Sequence, residues 1–305
     1  MKFLITSAGR RVSLVRNFQK YGEVFCCDMN PMLSAGCQVS DGYFKVPRVT
    51  DKSYIDILLD FSKKNSINMI IPTIDTELTI LAKVKDRFLK EGILIAVSDI
   101  EICKTFYLKS TTEKFFQKYG FKTPKSIKNL KEADYPLFAK LDNSSCSIGA
   151  MKVDNYEVAK RLKGDYIFQE FIQGDEYTID VFFDKNSEIK SIVPRKRIEV
   201  RAGEVNKAKT CKDRVIIEEI KKLGRYLKGA YGCLTIQLFK TENNQLYFIE
   251  INPRFGGGYP LSYLAGADYA SMLVKDYQGE NLDYFEEWKD NLIMLRYDAE
   301  VLVEE

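Results

Sequence analysis

The stretch LYFIEINPRFGGGYP, residues 246–260, decides how the rest of this chain is interpreted. It begins like a buried strand, yet Glu250 and Asn252 interrupt the apolar run, and Arg254 and the glycines Gly256–Gly258 follow. Burying a lone carboxylate is costly unless a cation or hydrogen-bond donors compensate for its lost hydration. We therefore expect this strand to border a polar cleft.

The strand pairs with a preceding one, CLTIQLF, through the linker KTENNQ. If Asn243-Asn244 forms a two-residue turn, Gln237 stands directly opposite Glu250. Side chains alternate between the two faces of a strand, so Glu250, Asn252 and Gln237 share one face. The other face is predicted to lie in the core, and its residues are Leu234, Ile236, Leu238, Ile249 and Ile251.

The three oxygen-bearing side chains form a candidate metal site. Carboxylate and amide oxygens, without histidine or thiolate, are the ligands that suit Mg²⁺. Two other interpretations stay open at this point. The polar face could simply be solvated, or Glu250 could form an ion pair with Arg254.

The composition narrows the chemistry. The 305 residues include no histidine, which excludes Ser-His-Asp and Cys-His catalysis and leaves Cys146 without a base to activate it. Seven scattered cysteines without a C-x-x-C pair predict reduced thiols. The net charge of +3 indicates no general attraction to nucleic acid or membranes. The start, MKFLITSAGRR, does not resemble a signal peptide, so we expect a cytoplasmic protein.

The first third of the chain alternates between strands and amphipathic helices, which predicts an α/β domain with a Rossmann-like parallel sheet. In such sheets ligands bind at the carboxyl ends of strands, where SAGRR (7–11), Asp28 and TIDTE (73–77) lie. Asp28 stands near the usual acidic position of a dinucleotide site. However, TSAGRR has one glycine where G-x-G-x-x-G needs three, which disfavours NAD.

The rest of the chain is predicted to be α+β with antiparallel sheets, because its strands follow one another with short loops. A single helix is predicted from Ser98 to Gly120. Lys140 ends a strand and precedes a small-residue loop, 143–149, whose N–H groups could contact phosphate oxygens. Four acids surround the turn QGD and indicate a polar ligand: Glu170, Asp175, Glu176 and Asp180.

Four segments stand in order along the chain: AKLDNSSCSIGAMKV, QEFIQGDEYTIDV, IQLF and FIEINPRFGGG. Together they resemble the ATP-grasp superfamily, and in particular single-module relatives of the carbamoyl-phosphate synthase large subunit. The opening LITSAGRR and the segment IIPTIDTEL resemble the domain that precedes the ATP-binding region there. The resemblance implies a pre-ATP-grasp domain at residues 1–105, a small lid subdomain at 106–172 and a catalytic subdomain at 173–305.

The resemblance also implies how ATP would be bound. Lys109 and Lys140 match two lysines that contact the nucleotide, and Lys104 is a second candidate for the first of them. The residues that match the loop over the phosphates are Ser144, Ser145, Ser147 and Gly149. The residues that match the adenine hinge and the ribose contact are Glu170, Phe171, Ile172 and Glu176.

The activity implied is an ATP-dependent ligation of a carboxylate to an amine through an acyl phosphate, with ADP and phosphate released. Gln237, Glu250 and Asn252 match the ligands of two Mg²⁺ ions, for which Mn²⁺ could substitute, and Arg254 matches the arginine that faces the transferred phosphate. The implied partners are small molecules, with neither nucleic acid nor membrane, and a homodimer is allowed. Carboxyphosphate or carbamate chemistry and a non-catalytic ATP-binding sensor are the alternatives.

The substrate site is predicted from the strand PRKRIEVRAGE. Alternation places four charged side chains on one face: Arg195, Arg197, Glu199 and Arg201. Of these, Arg197 and Arg201 are the candidates to hold a carboxylate or acyl phosphate, because the guanidinium fork suits such groups. A plain charged strand is the alternative. Asp75 and Glu77 are candidates to hold the amine.

Overall fold

The amino-terminal third folds into a parallel five-stranded sheet, in a computed structural model that describes residues 1–143, 149–201 and 203–303. The strand order is β3-β2-β1-β4-β5, which confirms the α/β expectation. The strands are β1 Lys2–Thr6, β2 Glu23–Asp28, β3 Gly42–Lys45, β4 Met69–Ile71 and β5 Leu94–Ile95. The helices between them are α1 Val12–Phe18, α2 Ala35–Gln38, α3 Tyr54–Lys64 and α4 Asp75–Leu89, with a 3₁₀ turn at Pro31–Leu33.

The strand order reverses at β1, since β2 and β3 lie on one side of it and β4 and β5 on the other. Such a reversal opens a crevice at the carboxyl ends of the two central strands. The segments after β1 and β4 meet there, because the Thr73 hydroxyl lies 2.9 Å from the carbonyl oxygens of both Thr6 and Ser7. SAGRR and TIDTE are therefore neighbours in space.

The single helix predicted from Ser98 to Gly120 is wrong. Two helices, α5 Ile100–Thr105 and α6 Lys109–Lys118, are separated by a break in which Leu108 is extended. The Thr111 hydroxyl is hydrogen-bonded to the carbonyl oxygen of Thr105 and stabilises the break. Threonine hydroxyls can compete in this way with the backbone hydrogen bonds of a helix. It leaves Lys109 at the start of a new helix.

The remainder contains two antiparallel sheets, as predicted. The smaller has the order β7-β6-β8 and the larger the order β13-β12-β9-β10-β11-β14. The strands of the smaller sheet are β6 Leu137–Leu141, β7 Met151–Val153 and β8 Tyr166–Glu170. Those of the larger are β9 Asp175–Phe183, β10 Ile189–Arg201, β11 Glu204–Thr210, β12 Gly232–Lys240, β13 Leu246–Asn252 and β14 Ile293–Leu295. The helices here are α7 Tyr156–Ala159, α8 Arg214–Gly224, α9 Pro260–Leu264 and α10 Tyr269–Tyr277.

In the β12–β13 hairpin Gln237 and Glu250 form a pair as predicted, but the strands are not joined by the predicted two-residue turn at Asn243-Asn244. Gln237 is paired with Glu250, yet a register shift separates this pair from Leu238↔Phe248. The extra residue of this bulge changes which side chain faces inward. Phe248 is buried instead of the predicted Ile249, which is only partly buried.

One apolar core joins the first sheet to the largest one. Phe18 of α1 packs edge-to-face on Phe255, just after β13, with ring centroids 5.9 Å apart. Phe3, Phe182 and Trp288 belong to the same buried cluster. The shared core holds the ends of the two sheets against each other.

The three sheets follow one another along the chain. We propose the predicted division at 1–105, 106–172 and 173–305, which is supported because each sheet is confined to one of these ranges. None of the helices in the described ranges has the length and apolar character needed to cross a bilayer.

Candidate active site

A cavity of about 370 Å³ lies where the three sheets meet. The first sheet contributes Arg11 and Asp75, from the segments that follow β1 and β4, and β6 contributes Leu141. The start of α6 and the largest sheet form most of the remaining wall. The predicted site residues that line it are Lys109, Arg197, Gln237, Glu250, Asn252 and Arg254.

The three predicted metal ligands lie together on this wall. The amide nitrogen of Asn252 donates to Glu250 Oε1 over 2.9 Å, and Gln237 stands across the hairpin from Glu250. Gln237 Oε1 accepts a hydrogen bond from Arg197 Nη1 at 3.3 Å. The contacts hold the polar groups of both strands on one side of the hairpin.

This donor set fits a hard divalent cation. It offers one carboxylate and two amide oxygens. The Glu176 carboxyl is near, because its pKa is raised by burial and, to a smaller extent, by the charge of Glu250. Within the described ranges, no three His, Cys, Asp or Glu side chains form a metal-binding group. A sparse oxygen set suits Mg²⁺, which keeps several waters and takes phosphate oxygens rather than an all-protein cage.

Arg197 is held by Glu176. Its Nη1 lies 2.7 Å from Glu176 Oε1, and its own side chain is nearly buried. Burial raises the pKa of the Glu176 carboxyl, an effect that the Arg197 charge opposes and Glu250 reinforces. Glu176 therefore positions Arg197 on the cavity wall, while its predicted contact with ribose stays a prediction.

Arg254 is tied to the first sheet. Its Nη2 lies 2.9 Å from Asp75 Oδ2, at the first residue of α4, and its carbonyl oxygen accepts from the Thr235 hydroxyl at 3.1 Å. Asp75 Oδ1 is buried and has no hydrogen-bond partner among the described residues. Asp75 thus faces the guanidinium that is predicted to contact the transferred phosphate.

A further arginine on the wall, Arg195, belongs to a fully buried ion pair. Both it and Asp180 are 0% exposed, and two hydrogen bonds join them, Nε to Oδ2 at 2.8 Å and Nη2 to Oδ1 at 2.9 Å. The Ser262 hydroxyl adds a bond of 2.6 Å to Asp180 Oδ2. The sequence singled out both residues but did not pair them.

The predicted alignment of Arg201 with Arg195 and Arg197 is wrong. Strand β10 has two register shifts, on either side of Glu199, which change the alternation of its faces. Arg201 is 71% exposed, beside Asp298, and lies outside the cavity. Its candidate role in holding substrate therefore loses its geometric basis.

The two predicted phosphate lysines have different environments. Lys109 lies on the cavity wall, whereas Lys140 is buried in β6, where loss of hydration lowers its pKa to about 8 despite the opposing charge of Glu250. Lys104 is exposed and forms an ion pair of 2.9 Å with Glu101. Lys109 is thus the better placed of the two candidates for the first lysine.

The predicted adenine hinge is not part of the lining of the cavity. Glu170 Oε1 accepts the N–H of Lys125 at 2.9 Å, and Phe171 is 41% exposed with the Lys152 ammonium 5.5 Å from its ring centroid. Together with Ile172 these residues stand outside the main cavity wall. Their contact with adenine stays a prediction.

Residues 144–148 of the predicted phosphate loop lie outside the described residues, and they include Ser144, Ser145, Cys146 and Ser147. At its two ends, Asn143 lines the cavity and Gly149 has a φ of +72°. A left-handed φ favours glycine, which accounts for this residue type at the end of the loop.

Two acids of the amino-terminal third, Asp28 at the end of β2 and Glu77 in α4, make hydrogen bonds inside the fold. Asp28 Oδ2 accepts the Gly9 N–H at 3.1 Å and so shapes the segment after β1. Glu77 is fully buried and accepts the Thr73 N–H at 2.8 Å and the Tyr54 hydroxyl at 3.0 Å. The prediction that Glu77 holds an amine is therefore wrong, because its oxygens are used inside the fold.

The sequence assigned no role to two further residues of the wall, Arg11 and Glu204. Burial acts to raise the pKa of Glu204, but the charges of Arg11, Arg296 and Arg10 outweigh it and hold this pKa below its ordinary value. The signal available for Arg11 was its place after β1, where ligands collect. Glu204 carried no comparable signal.

Comparison with known proteins agrees with this architecture. Residues 3–96 match the family model described as a PylC-like N-terminal domain, and residues 108–258 match that of an ATP-grasp domain. A D-alanine–D-alanine ligase of Neisseria gonorrhoeae (strain NCCP11945) is 29% identical over 134 residues, which are 38% of this chain and 44% of that protein. The chain thus covers less than half the length of this curated relative.

Solved structures share the fold over nearly the whole chain. N5-carboxyaminoimidazole synthetase from Staphylococcus aureus complexed with ADP has a TM-score of 0.73 at 17% identity, over 96% of this chain and 79% of that one. The biotin carboxylase domain of Hydrogenobacter thermophilus 2-oxoglutarate carboxylase has a TM-score of 0.71 at 14% identity, over 95% of this chain and 73% of that one. An L-amino acid ligase from Bacillus licheniformis has a TM-score of 0.68 at 17% identity, over 90% of this chain and 73% of that one.

Proposed function

The chain belongs to the ATP-grasp family, and on that premise we propose that it is an ATP- and Mg²⁺-dependent ligase that joins a small-molecule carboxylate to an amine. The supporting observation is that Lys109, Arg197 and Arg254 line one cavity together with the oxygen donors around Glu250. Phosphoryl transfer needs positioning and charge neutralisation rather than a nucleophilic side chain. A protein without histidine can meet that need.

Gln237, Glu250 and Asn252 would hold Mg²⁺, with Mn²⁺ able to substitute. When bound, the ion neutralises phosphate charge and orients the triphosphate. Lys109 and Lys140 would contact nucleotide oxygens. Glu170, Phe171 and Ile172 would bind adenine, and Glu176 the ribose.

The proposed reaction has two steps. A carboxylate oxygen attacks the γ-phosphorus of ATP, the bond to the bridging oxygen breaks, and ADP leaves with that electron pair. The amine nitrogen then attacks the carbonyl carbon of the acyl phosphate, loses its proton, and phosphate leaves. Arg254 and Arg197 would stabilise the negative charge that develops on the phosphoryl and acyl oxygens.

The names of the relatives support ligation and also indicate which acids to test. The D-alanine–D-alanine ligase and the L-amino acid ligase are named for joining amino acids. The biotin carboxylase domain is described as a dimer in complex with MgADP and bicarbonate. Bicarbonate therefore belongs among the candidate acids, and a homodimeric assembly stays a proposal.

A phosphate-release screen across pairs of carboxylic acids and amines tests the proposal. We expect Mg²⁺-dependent release that needs both members of one pair, and Mn²⁺ should sustain it. Release with bicarbonate alone would indicate carboxyphosphate chemistry. Tight binding of Mg-ATP with no release from any pair would contradict the ligase and indicate a nucleotide sensor.

A further inference from the structure

A second cavity, of about 140 Å³, adjoins the main one at the carboxyl end of β1. Four residues line both cavities: Arg11, Glu204, Gly256 and Gly257. A water molecule occupies about 30 Å³ in the liquid, so the small cavity has room for a group of about four or five heavy atoms. One elongated molecule could therefore reach from the main cavity into the small one.

The walls of the small cavity carry an excess of positive charge. Its charged lining residues, within the part of the chain that the structure describes, are Arg10, Arg11, Arg296 and Glu204. Arg296 Nη1 lies 3.1 Å from Glu204 Oε2, and Arg10 Nη2 lies 3.6 Å from the same oxygen. A single carboxylate thus faces three guanidinium groups.

The lowered pKa of Glu204 indicates that the electrostatic potential in the small cavity is positive. It is largely withdrawn from water, which by itself would favour its neutral form, yet the three arginines keep its pKa below the ordinary value. A site that stabilises one carboxylate against burial also favours a second anion, because its lining carries three guanidinium groups and one carboxylate.

The glycines after β13 connect the two cavities. A Cβ on Gly257 would lie 3.3 Å from Glu204 Oε1 and 3.4 Å from Arg11 Nη1, so a side chain there would press on both charged groups. The bare backbone leaves room between Arg254, which lines the main cavity, and the arginines of the small one.

We propose that the small cavity binds an anionic group, a carboxylate or a phosphate, carried by one of the two substrates at the end remote from the bond that forms. This inference rests on the proposed ligase function and specifies its substrate class. The substrate is bifunctional, with its reacting group near Arg254 and its second group on Arg10, Arg11 and Arg296. Guanidinium forks bind both carboxylate and phosphate in two-point contacts.

The first test measures anion binding directly. Succinate and glycerol 3-phosphate are titrated separately into the full chain, with Mg²⁺ and a non-hydrolysable ATP analogue present so that the nucleotide site is filled. We expect at least one of them to bind, and Arg296→Gln to raise its dissociation constant about tenfold to a hundredfold, the usual effect of losing one charged hydrogen bond. The anion that binds identifies the class.

Arg10→Gln provides a second variant, because the Arg10 side chain is 80% exposed and its loss does not threaten folding. Arg225→Gln, at an exposed arginine that follows α8, is the matched control and should bind the anion as the unmodified protein does. The inference is overturned if neither anion binds, or if both cavity variants bind as tightly as the control.

The second test uses turnover and separates this inference from the proposed function. With an active acid–amine pair, Arg296→Gln should raise KM for the bifunctional substrate at least about tenfold and leave KM for ATP unchanged. Anion binding through Arg296 without any turnover would support the site and refute the ligase. If substrates that lack a second anionic group are turned over with the same KM by the unmodified protein and by Arg296→Gln, the anion site is refuted and the ligase is supported.

Discussion

Glu250 illustrates how a carboxylate can lie in a strand whose other face is apolar. It accepts a hydrogen bond from Asn252, and its charge opposes the lowering of the Lys140 pKa that burial causes. Arg197 and Arg254 line the same cavity. These cations compensate for the hydration that Glu250 loses, and they also provide the positive environment that a triphosphate requires.

Replacing Glu250 with Gln keeps its shape and removes its charge. We expect kcat to fall about 10²–10³-fold, the usual cost of losing one preorganised electrostatic group, with the remaining activity needing more Mg²⁺. Initial rates over a range of Mg²⁺ concentrations measure this. Glu242→Gln, at an exposed acid of the hairpin turn, is the control, and equal Mg²⁺ dependence in the two variants would exclude Glu250 as a ligand.

If Lys140 contacts the nucleotide as proposed, the affinity for nucleotide should depend on pH. Burial lowers its pKa to about 8, with Lys109 adding to the effect and Glu250 opposing it. Bound phosphate would raise this pKa, so binding takes up a proton above pH 8. The dissociation constant of Mg-ATP should be flat below about pH 7.5 and rise above pH 8, by up to about tenfold per pH unit.

Titrations in buffers of different ionisation enthalpy would measure that proton uptake. Lys140→Arg stays charged throughout this range and should lose the dependence, whereas Lys104→Gln, at an exposed site, should keep it. A dependence that survives in Lys140→Arg would assign it to another group.

At the scale of single elements, the segment after β13 shows why three glycines follow one another. A Cβ on Gly258 would collide with the Arg195 guanidinium and lie 2.7 Å from Val205. On Gly257 it would have the milder contacts with Glu204 and Arg11. The segment therefore packs directly on the buried Arg195–Asp180 pair, which holds it in place.

Alanine substitutions at these two glycines should differ in their effect on stability. Gly258→Ala should lower the free energy of unfolding by about 1–3 kcal/mol, because overpacking displaces a buried guanidinium that cannot move without breaking its ion pair. Gly257→Ala should lower the free energy of unfolding by less. Urea denaturation measures both values, and the reverse order would contradict the packing described.

For the whole molecule, the important feature is that two of the three sheets around the cavity share one core. The ion pair of Asp75 with Arg254 joins residues 179 positions apart and connects the first sheet to the segment after β13. Phe18 and Phe255 make an apolar contact between the same two regions. The arginine predicted to face the phosphate is thus positioned from the other sheet.

Replacing Asp75 with Asn removes one partner of this half-buried pair. We expect the free energy of unfolding to fall by about 1–3 kcal/mol and kcat to fall about tenfold, since Arg254 loses its orienting charge. Asp56→Asn, which removes an exposed ion pair with Arg87, is the matched control and should cost less than about 1 kcal/mol. Equal effects in the two variants would refute the positioning role.

Much of the fold follows from local sequence. The alternation of strands and helices predicted the parallel sheet, and the short loops predicted the antiparallel ones. Two local errors have local causes. Thr111 divides a predicted helix by bonding to backbone oxygens, and a bulge in β13 buries Phe248 instead of Ile249.

The composition and periodicity of the chain alone determined that any catalysis is free of histidine and that Glu250 faces a cleft. The pairing of Gln237 with Glu250 was predicted from a two-residue turn that the hairpin lacks, and the extra residue of the bulge restores it. Only the tertiary structure decided that Arg254 meets Asp75, and that Arg201 points to solvent. Periodicity describes neighbours within one element. Contacts between distant charges depend on how the sheets pack and on small register shifts, which no local pattern records.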